Sequence, residues 1–381
     1  MSLIAGINLT TMYHYLRSKK SSMPRLKLTY SSQIIITTLI LLAFGLLMIG
    51  SASVAEGARD FGDKWHFVGL QLKWAFTGII FSWLFSRLHP HFWQKLAFPI
   101  IGIGIVLLIL VLIPGIGTKV LGARRWLVLP GVVIQPSELI KLIEVIYLSS
   151  WFTRKRVSLL QFGSFALLIS GLIMLQPDLG TTIVVSCLGI AMYFITGYPV
   201  KHLLTVGLVG AIVLTIYIFS STYRIDRVKT FLDPTHDPLG SSYHIRQVVL
   251  ALGSGGITGL GIGRSRQKYE YLPESTTDSI VAVVGEELGF IGILLLIFTF
   301  LYLISLVFKV AAASRDEYNS ALAAGIGSWI AIQLVLNLAA MVALTPLTGI
   351  PLPLVSYGGS SLITILVGIG LVLAVSRVEK I

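Results

Sequence analysis

The sequence predicts an all-α, polytopic membrane protein, and three observations support that prediction. The mean hydropathy is +0.86. Only 12% of the residues are charged and 55% are hydrophobic, whereas about 25% are charged in soluble proteins. Many runs reach the roughly 20 apolar residues that a helix needs to cross a bilayer. The basic isoelectric point is therefore interpreted as a signal for orientation and headgroup contact, not for nucleic-acid binding.

Ten apolar runs are predicted to be transmembrane helices, with both termini in the cytoplasm. The first run is longer than the apolar core of a signal peptide, so we expect it to stay uncleaved. Residues 1–28 are predicted to be a cytoplasmic tail, residues 29–381 a single ten-helix domain, and residues 221–277 a large extracytoplasmic loop between helices 7 and 8. The predicted spans are 30–53, 66–87, 92–113, 138–152, 159–176, 179–197, 201–220, 278–308, 318–344 and 355–376.

The distribution of basic residues supports this orientation. Fifteen of the 29 Lys and Arg residues fall in the segments placed inside, and all the inner loops are short, as the positive-inside rule requires. Seven others fall in the loop 221–277. A long loop can cross the membrane despite its charge, so this loop does not overturn the orientation. Its charge predicts an anionic partner on the outer face.

Predicted span four contains three ionisable residues. Glu138, Lys141 and Glu144 are three residues apart each time, which places them near one face of a helix. Ionisable groups at membrane depth face the protein interior or a wet cavity. Two interpretations stay open: a self-neutralising structural cluster, or the polar wall of a substrate cavity.

The outer loop before span four contains two adjacent arginines. Arg124 and Arg125 precede Trp126, and Gln135 lies just before the helix start. Because arginine can bind phosphate oxygens with two parallel hydrogen bonds, this pair is a candidate phosphate site. The alternative is that the arginines and the tryptophan anchor the loop at the headgroup level.

The stretch Gly253–Phe290 combines glycines, charge and the start of a long apolar run. Its basic residues include Arg264 and Lys268, and Asp278 stands where a helix is predicted to begin. The glycines match neither the dinucleotide fingerprint nor the phosphate loop. Ionisable residues within the membrane-spanning parts of proteins are rare and usually functional. Asp278 is therefore the main candidate for chemistry, with helix capping as the alternative.

Prolines and small polar residues mark the segment between the last two spans. Three prolines within residues 345–354 predict that the chain kinks or re-enters at the outer surface. The run that opens span ten allows close helix packing, or it brings hydroxyls and bare backbone to sugar or phosphate. The candidate binding residues in this run are Ser356, Tyr357, Gly358, Gly359 and Ser360.

Several other polar groups are predicted to be structural. Asp178 is most simply a helix cap. Gln333 and Asn337 are four residues apart in span nine and are expected to hydrogen-bond across helices. Residues 243–250 are interpreted as a short interfacial helix that is apolar on one side.

Together these stretches resemble one family, the SEDS proteins, which include FtsW, RodA and SpoVE. The resemblance extends in order from span one to span ten. The motifs that carry it are GARRW at 122–126, QPSEL at 135–139, QPDLGT at 176–181, YLPE at 271–274 with Asp278 after it, GEELG at 285–289, and PLPLVSYGGSS at 351–361. The residues Ser265–Lys268 favour the FtsW-like branch, and hence a role in cell division, over an elongation polymerase of the RodA type.

The resemblance implies a peptidoglycan glycosyltransferase that polymerises lipid II into glycan strands on the outer face of the bacterial inner membrane. It implies a class B penicillin-binding protein as the transpeptidase partner, beside other division proteins. Asp278 falls on the family's catalytic aspartate, which would act as the general base. Glu286 lies about 80° around an ideal helix from Asp278. Glu286 rather than Glu287 is therefore expected to line the cavity or to support a residue that lines it.

The chain departs from the family pattern at two places. Residues 276–279 read Thr-Thr-Asp-Ser, where the family commonly has His-Thr-Asp-Phe, and Val281 stands where a second aromatic is usual. In span two, Gln71 is preceded by Leu70 instead of a basic residue, and Lys73 is the nearest cation. The packing around Asp278 is therefore expected to differ from the family's.

The motifs contain no dedicated metal cage, although Mg²⁺ or Mn²⁺ can accompany a substrate diphosphate. Two other classes of function compete with the polymerase: a flippase for lipid-linked precursors and a non-catalytic division scaffold. A flippase needs charged groups along a path through the bilayer, whereas a polymerase needs them at one face. The largest cluster is predicted at the outer face, which favours the enzyme.

Overall fold

The computed structural model describes residues 29–381 with the exception of 121, 131, 155, 220–224, 227, 228, 230, 232–241 and 269–271. The described chain is mostly helical. Its helices are α1 Tyr30–Ala52, α2 Val54–Phe61, α3 His66–Arg87, α4 Pro90–Leu110, α5 Pro136–Arg154, α6 Leu159–Met174, α7 Leu179–Ile195, α8 Val200–Phe219, α9 Tyr243–Gly255, α10 Ile280–Ala313, α11 Glu317–Met341 and α12 Gly359–Val378. Its strands are β1 Gly117–Val120, β2 Ala123–Leu129 and β3 Val132–Ile134.

A helix occupies each of the ten ranges predicted as spans. Within the described residues, six helices are long and apolar enough to cross a membrane: α1, α3, α4, α10, α11 and α12. Helices α6 and α7 are apolar but shorter. The chain is therefore a multi-pass membrane protein, whereas ten crossings and two cytoplasmic termini stay predictions. The tail 1–28 and much of the loop 221–277 lie outside the described residues.

The prediction of an all-α chain is wrong between α4 and α5. Strands β1, β2 and β3 form a three-stranded antiparallel sheet in that order. Ala123 and Leu127 of β2 are buried while Val128 is 55% exposed, so one face of the sheet packs on the helices. Strands this short give too few alternating residues for the sequence to distinguish them from a loop.

Helices α3 and α12 pack with their backbones in close contact. A Cβ atom added at Gly370 would lie 2.4 Å from the carbonyl oxygen of Ser82, and one at Gly78 would lie 2.5 Å from Leu366. Glycine at these two positions therefore permits the approach, as small residues commonly do between membrane helices.

Helix α10 is interrupted at Gly289, which corrects the prediction of one continuous helix. Gly289 has φ 66° and ψ −166°, a conformation open mainly to glycine. The glycine-rich segment replaces the lost helical hydrogen bonds: Leu260 N donates to the Glu286 carbonyl at 3.0 Å, and Phe290 N donates to the Gly256 carbonyl at 3.0 Å. The kink therefore fixes the glycine-rich segment against α10.

Helix α9 confirms the short helix predicted from residue 243. Its buried residues Ile245, Val248 and Ala251 form one face, and its C-terminal Gly255 lies against the main chain of Gly285 in α10. This packing ties α9, which belongs to the large loop, to the helix that follows Asp278.

Candidate functional site

Asp278 lies in a turn two residues before α10 and is 8% exposed. The N-cap residue of α10 is Ser279, so Asp278 is not the capping residue of this helix. A nearly buried carboxylate at the end of a membrane helix has the features of a functional group.

The main chain around Asp278 is held by residues from two other segments. The amide of Asn337 in α11 donates to the carbonyl oxygen of Asp278 at 2.9 Å. The hydroxyl of Ser356 donates to the carbonyl of Thr277, and Tyr357 N donates to the carbonyl of Thr276 at 2.9 Å. The segment before α12 therefore pairs directly with the residues before Asp278.

Gln71 of α3 fixes that segment in turn. Its Nε2 donates to the carbonyl of Ser356 at 3.2 Å, and its Oε1 accepts from Gly358 N at 3.2 Å. Gln71 is 1% exposed, so both bonds are protected from water. Although Leu70 stands where the family has a basic residue, Gln71 still joins α3 to the segment that pairs with the residues before Asp278.

A shallow cavity, too small to admit a water molecule, lies beside Asp278. Gly349 has φ 69°, and a Cβ at that position would lie 4.0 Å from Oδ2 of Asp278. The residues that line the cavity are Asp278, Asn337, Ala340, Met341, Leu347, Thr348, Gly349 and Ile350. The segment 345–354, which contains three prolines, therefore forms one wall of this cavity.

An acidic flank lies on the other side of Asp278. Thr277 Oγ1 donates to Oε2 of Glu274 at 2.7 Å and lies 3.5 Å from Oδ1 of Asp278. Burial, reinforced by the charges of Glu274 and Asp60, raises the pKa of Glu56 in α2. The carboxyl groups of Glu56, Glu274 and Asp278 make this flank acidic, so it suits the uncharged part of a substrate better than a diphosphate.

The two predicted arginines have different surroundings. Arg125 donates from Nε to the carbonyl of Gln176 at 3.1 Å and from Nη2 to that of Pro177. Its guanidinium therefore holds the turn before α7, where Asp178 caps the helix by accepting from Thr181 N at 3.1 Å. Arg124 is half-buried on β2, and no side-chain bond joins it to the described residues. Arg124 is the arginine whose fork is open to a ligand.

Gln135 and Ser360 join the sheet to α12. Gln135 N donates to Oγ of Ser360 at 3.2 Å, and that hydroxyl donates to the carbonyl of Val133 at 3.2 Å. Gly359 packs against Trp74, since a Cβ there would lie 2.8 Å from the indole. These contacts bring the predicted residues of the outer loop and of the α12 start together.

The cluster in α5 is buried, and two of its three residues form an ion pair. Lys141 Nζ lies 2.7 Å from Oε1 of Glu138, and the two side chains are 1% and 5% exposed. The same ammonium lies 5.7 Å from the ring centroid of Trp329. Glu144 is also buried, at 2%. Because none of the three acid and base residues lines the cavity at Asp278, the geometry favours the structural interpretation.

Lys268 and Glu286 are directed into the protein instead of towards the cavity. Lys268 Nζ lies 2.9 Å from Oε1 of Glu287 and 2.9 Å from Oγ of Ser51. Glu286 accepts from Ser265 Oγ and from Arg266 N at 2.9 Å. Glu286 therefore does not line the cavity at Asp278, because both it and Glu287 bind the loop that follows the glycines, and a supporting role for Glu286 stays a prediction. Sequence reasoning missed Ser51, which α1 contributes.

Arg264 and Arg266 are the exposed cations of that loop. Because both residues are exposed, their charge is available at the surface. Among the described residues, no group of three or more His, Cys, Asp or Glu side chains is arranged to hold a metal ion.

These features define a class: a mostly helical, multi-pass membrane protein with a nearly buried carboxylate beside a small cavity at the start of one helix. The chain belongs to the cell cycle protein family of FtsW, RodA and SpoVE, whose model matches residues 32–381. The family resemblance seen in the motifs is thus confirmed.

Relatives place the chain near the FtsW-like branch. It is 37% identical to a probable peptidoglycan glycosyltransferase FtsW of Trichlorobacter lovleyi, over 92% of this chain and 94% of the relative. It is 39% identical to the stage V sporulation protein E of Bacillus subtilis, over 91% of this chain and 97% of the relative.

Two solved structures share the fold. The first is a chain from a structure described as "Structural coordination of polymerization and crosslinking by a peptidoglycan synthase complex". It superposes with a TM-score of 0.76 at 30% identity, and the match covers 91% of this chain and 97% of that one. The rod shape determining protein RodA of Thermus thermophilus gives a TM-score of 0.67 at 29% identity, with the same coverage.

Proposed function

We propose that this chain is a peptidoglycan glycosyltransferase that polymerises lipid II into glycan strands, with Asp278 as the general base, in cell division. The observation that supports this most directly is the placement of Asp278, which is nearly buried, fixed through its own carbonyl by Asn337, and open to a cavity. Relatives named as probable peptidoglycan glycosyltransferases support this class of reaction.

The reaction joins two sugars with loss of a lipid diphosphate. The 4-hydroxyl of the acceptor sugar gives its proton to a carboxylate oxygen of Asp278 while its oxygen forms a bond to C1 of the donor. The bond from C1 to the diphosphate breaks, and the electron pair leaves with the lipid diphosphate. Asp278 therefore needs to be ionised at the start of the step.

Positive charge for the leaving diphosphate is assigned to Arg124 and the exposed Arg264. Arg124 can offer a bidentate fork, whereas Arg125 is already bonded to two carbonyls. The acidic flank of Glu56 and Glu274 repels a diphosphate, so the donor's lipid side is placed away from it. Mg²⁺ or Mn²⁺ bound to the diphosphate itself would need few protein ligands.

The setting proposed for this reaction is the outer face of the bacterial inner membrane. We propose ten crossings, cytoplasmic termini, a cytoplasmic tail at 1–28 and an outer loop at 221–277, an arrangement in which Asp278 lies on that face. A class B penicillin-binding protein is proposed as the partner that crosslinks the strands, with other division proteins beside it. The fold shared with a chain of a peptidoglycan synthase complex supports such a pairing.

The test is polymerisation by the purified chain, alone and with its transpeptidase partner, on lipid II. Glycan strands longer than the disaccharide are expected on a denaturing gel, and a muramidase should digest them. A chelator arm measures the need for a divalent cation. If no polymer forms with the partner present while the same preparation moves lipid II across vesicles, the proposal is wrong.

A further inference from the structure

We propose that His244 is a positioning residue for Asp278, an inference that rests on the proposed function. His244 Nε2 and Ser279 Oγ share a hydrogen bond of 2.7 Å. His244 is the second residue of α9, and Ser279 is both the N-cap residue of α10 and the neighbour of Asp278 along the chain. The imidazole therefore contacts the side chain of the residue next to Asp278, in the turn from which the Asp278 carboxylate extends.

Ser279 is suited to transmit this contact. It is fully buried, at 0% exposure, and its hydroxyl makes no capping bond to α10, so His244 is its side-chain partner. Its peptide N–H donates to the carbonyl of Glu274 at 3.2 Å. Asn337 holds the carbonyl of Asp278 from the opposite direction. The peptide between Asp278 and Ser279 is thus fixed from α9, from α11 and from the preceding turn.

Helix α9 gives His244 a fixed position. Ile245 and Val248 next to it are buried, at 7% and 0%, and the far end of α9 lies on α10 where Gly255 meets Gly285. Because α9 belongs to the large loop, docking of that loop and the orientation of Asp278 become linked. A displacement of α9 would release the contact to Ser279 and leave the carboxylate less well directed.

The sequence around Asp278 agrees with this assignment. Residues 276 and 279 are two of the positions at which the chain departs from the family pattern, with threonine and serine there. A serine at 279 supplies the hydroxyl that His244 needs, which a phenylalanine would not. In this chain the imidazole that contacts the turn belongs to His244 of α9, whereas the family pattern has a histidine within the turn, at position 276.

The experiment compares lipid II polymerisation by full-length variants co-purified with the transpeptidase partner. The variants are His244→Ala, His244→Gln, Ser279→Ala, the double variant of His244→Ala with Ser279→Ala, and Asp278→Asn. Ser254→Ala is the matched control, since its hydroxyl bonds only to Ala251 within α9. Thermal unfolding in detergent is measured for each variant, and kcat and KM are determined separately.

The expected result is that His244→Ala lowers kcat by roughly 10- to 100-fold, the cost of a slightly misplaced catalytic group, while KM stays nearly unchanged. His244→Gln should restore most of kcat, because its side-chain amide can donate or accept at a similar reach. Ser279→Ala should match His244→Ala, and the double variant should lose no more than either single one. Ser254→Ala should behave as wild type.

Three results would overturn the assignment. They are near-normal kcat in His244→Ala, no recovery in a folded His244→Gln, and losses that multiply in the double variant. If His244→Ala does not fold, Ser279→Ala removes the same bond with a smaller change and decides the question alone. An inactive Asp278→Asn beside an active His244→Ala contradicts only the positioning role, whereas an active Asp278→Asn contradicts the proposed reaction.

Discussion

Asn337 of α11 donates its side-chain amide to the carbonyl oxygen of Asp278 at 2.9 Å. The same nitrogen also donates to the carbonyl of Ile350 at 2.8 Å, and Asn337 is 1% exposed. One buried amide therefore joins the candidate base to the opposite wall of its cavity. These two bonds explain why a buried amide occurs at this position of α11.

Replacing Asn337 with Leu should lower both stability and polymerisation. Two buried carbonyls would lose their donor, which costs about 1–3 kcal/mol per unsatisfied group, and Asp278 would lose its main-chain support. Unfolding temperature and glycan synthesis are the measurements. Asn319→Leu is the matched control, because Asn319 lies in the same helix but bonds to Glu379 at the other end. Equal loss of activity in both variants would show that Asn337 acts only through stability.

Replacing Asp278 with Asn should leave insertion and unfolding temperature close to wild type and remove polymerisation. The amide keeps the size of the side chain but cannot take the proton of the acceptor hydroxyl. Loss of a general base typically lowers the rate by about 10²–10⁴-fold. Initial rates of glycan formation are the measurement. A rate near wild type would mean that Asp278 has no catalytic part.

The helices could be predicted from the sequence because apolar runs of sufficient length have few alternatives. The sheet between α4 and α5 could not, since its strands are only 4, 7 and 3 residues long. The helical-wheel argument for Glu286 assumed that water lay on one side of α10. The loop before α10 that contains Ser265, Arg266 and Lys268 instead covers both Glu286 and Glu287.

The candidate site was predictable where a motif marks it and unpredictable where the fold brings distant residues together. The motif identified Asp278 and the segment 356–360. It could not show that Lys268 meets Ser51, which lies 217 positions away in the sequence. It also could not separate Arg124 from Arg125, because the carbonyls that occupy Arg125 come from the turn before α7.

Substitutions at the two arginines should distinguish a role in substrate binding from a role in stabilising the fold. Arg124→Ala should weaken lipid II use more than Arg124→Lys, because lysine keeps the charge but loses the fork. Arg125→Ala should instead lower the unfolding temperature, since the carbonyls of Gln176 and Pro177 lose their donor. KM for lipid II and thermal unfolding are measured together. Equal effects of Ala and Lys at Arg124 would contradict a phosphate contact and favour anchoring at the headgroups.

Replacing Glu56 with Gln should make the protein more stable at neutral pH. The raised pKa of Glu56 means that the folded state holds this proton more tightly than the unfolded state does. The stabilisation from Glu56 is thus complete below the ordinary value near 4.5 and is lost as the pH rises through the folded pKa. Because Glu56 is partly exposed, solvent screening keeps the gain of the variant small.

Unfolding temperatures of wild type and Glu56→Gln across pH 4 to 8 test this, with the two curves meeting at the acid end. Asp60→Asn is the comparison, because the Arg59 guanidinium lowers the pKa of Asp60 and the sign of the effect is opposite. A difference that does not change with pH would contradict the assignment to Glu56.

The paired charges of α5 distinguish a polymerase from a flippase. Lys141→Met would leave the Glu138 carboxylate buried without its 2.7 Å partner, which typically destabilises by about 3–5 kcal/mol. Combining it with Glu138→Gln removes the unpaired charge and should restore much of the stability. If the cluster is structural, the folded double variant should polymerise lipid II at close to the wild-type rate.

The measurement is a pair of assays on the same reconstituted vesicles, one for lipid II translocation and one for glycan chains. Asp278→Asn is expected to stop chain formation without any effect on lipid movement, because its part lies in proton transfer. The double variant is expected to keep chain formation. Robust translocation that disappears in the double variant and persists in Asp278→Asn would contradict the polymerase. It would assign the α5 charges to a transport path, since an ion pair at that depth has no other reason to control lipid movement.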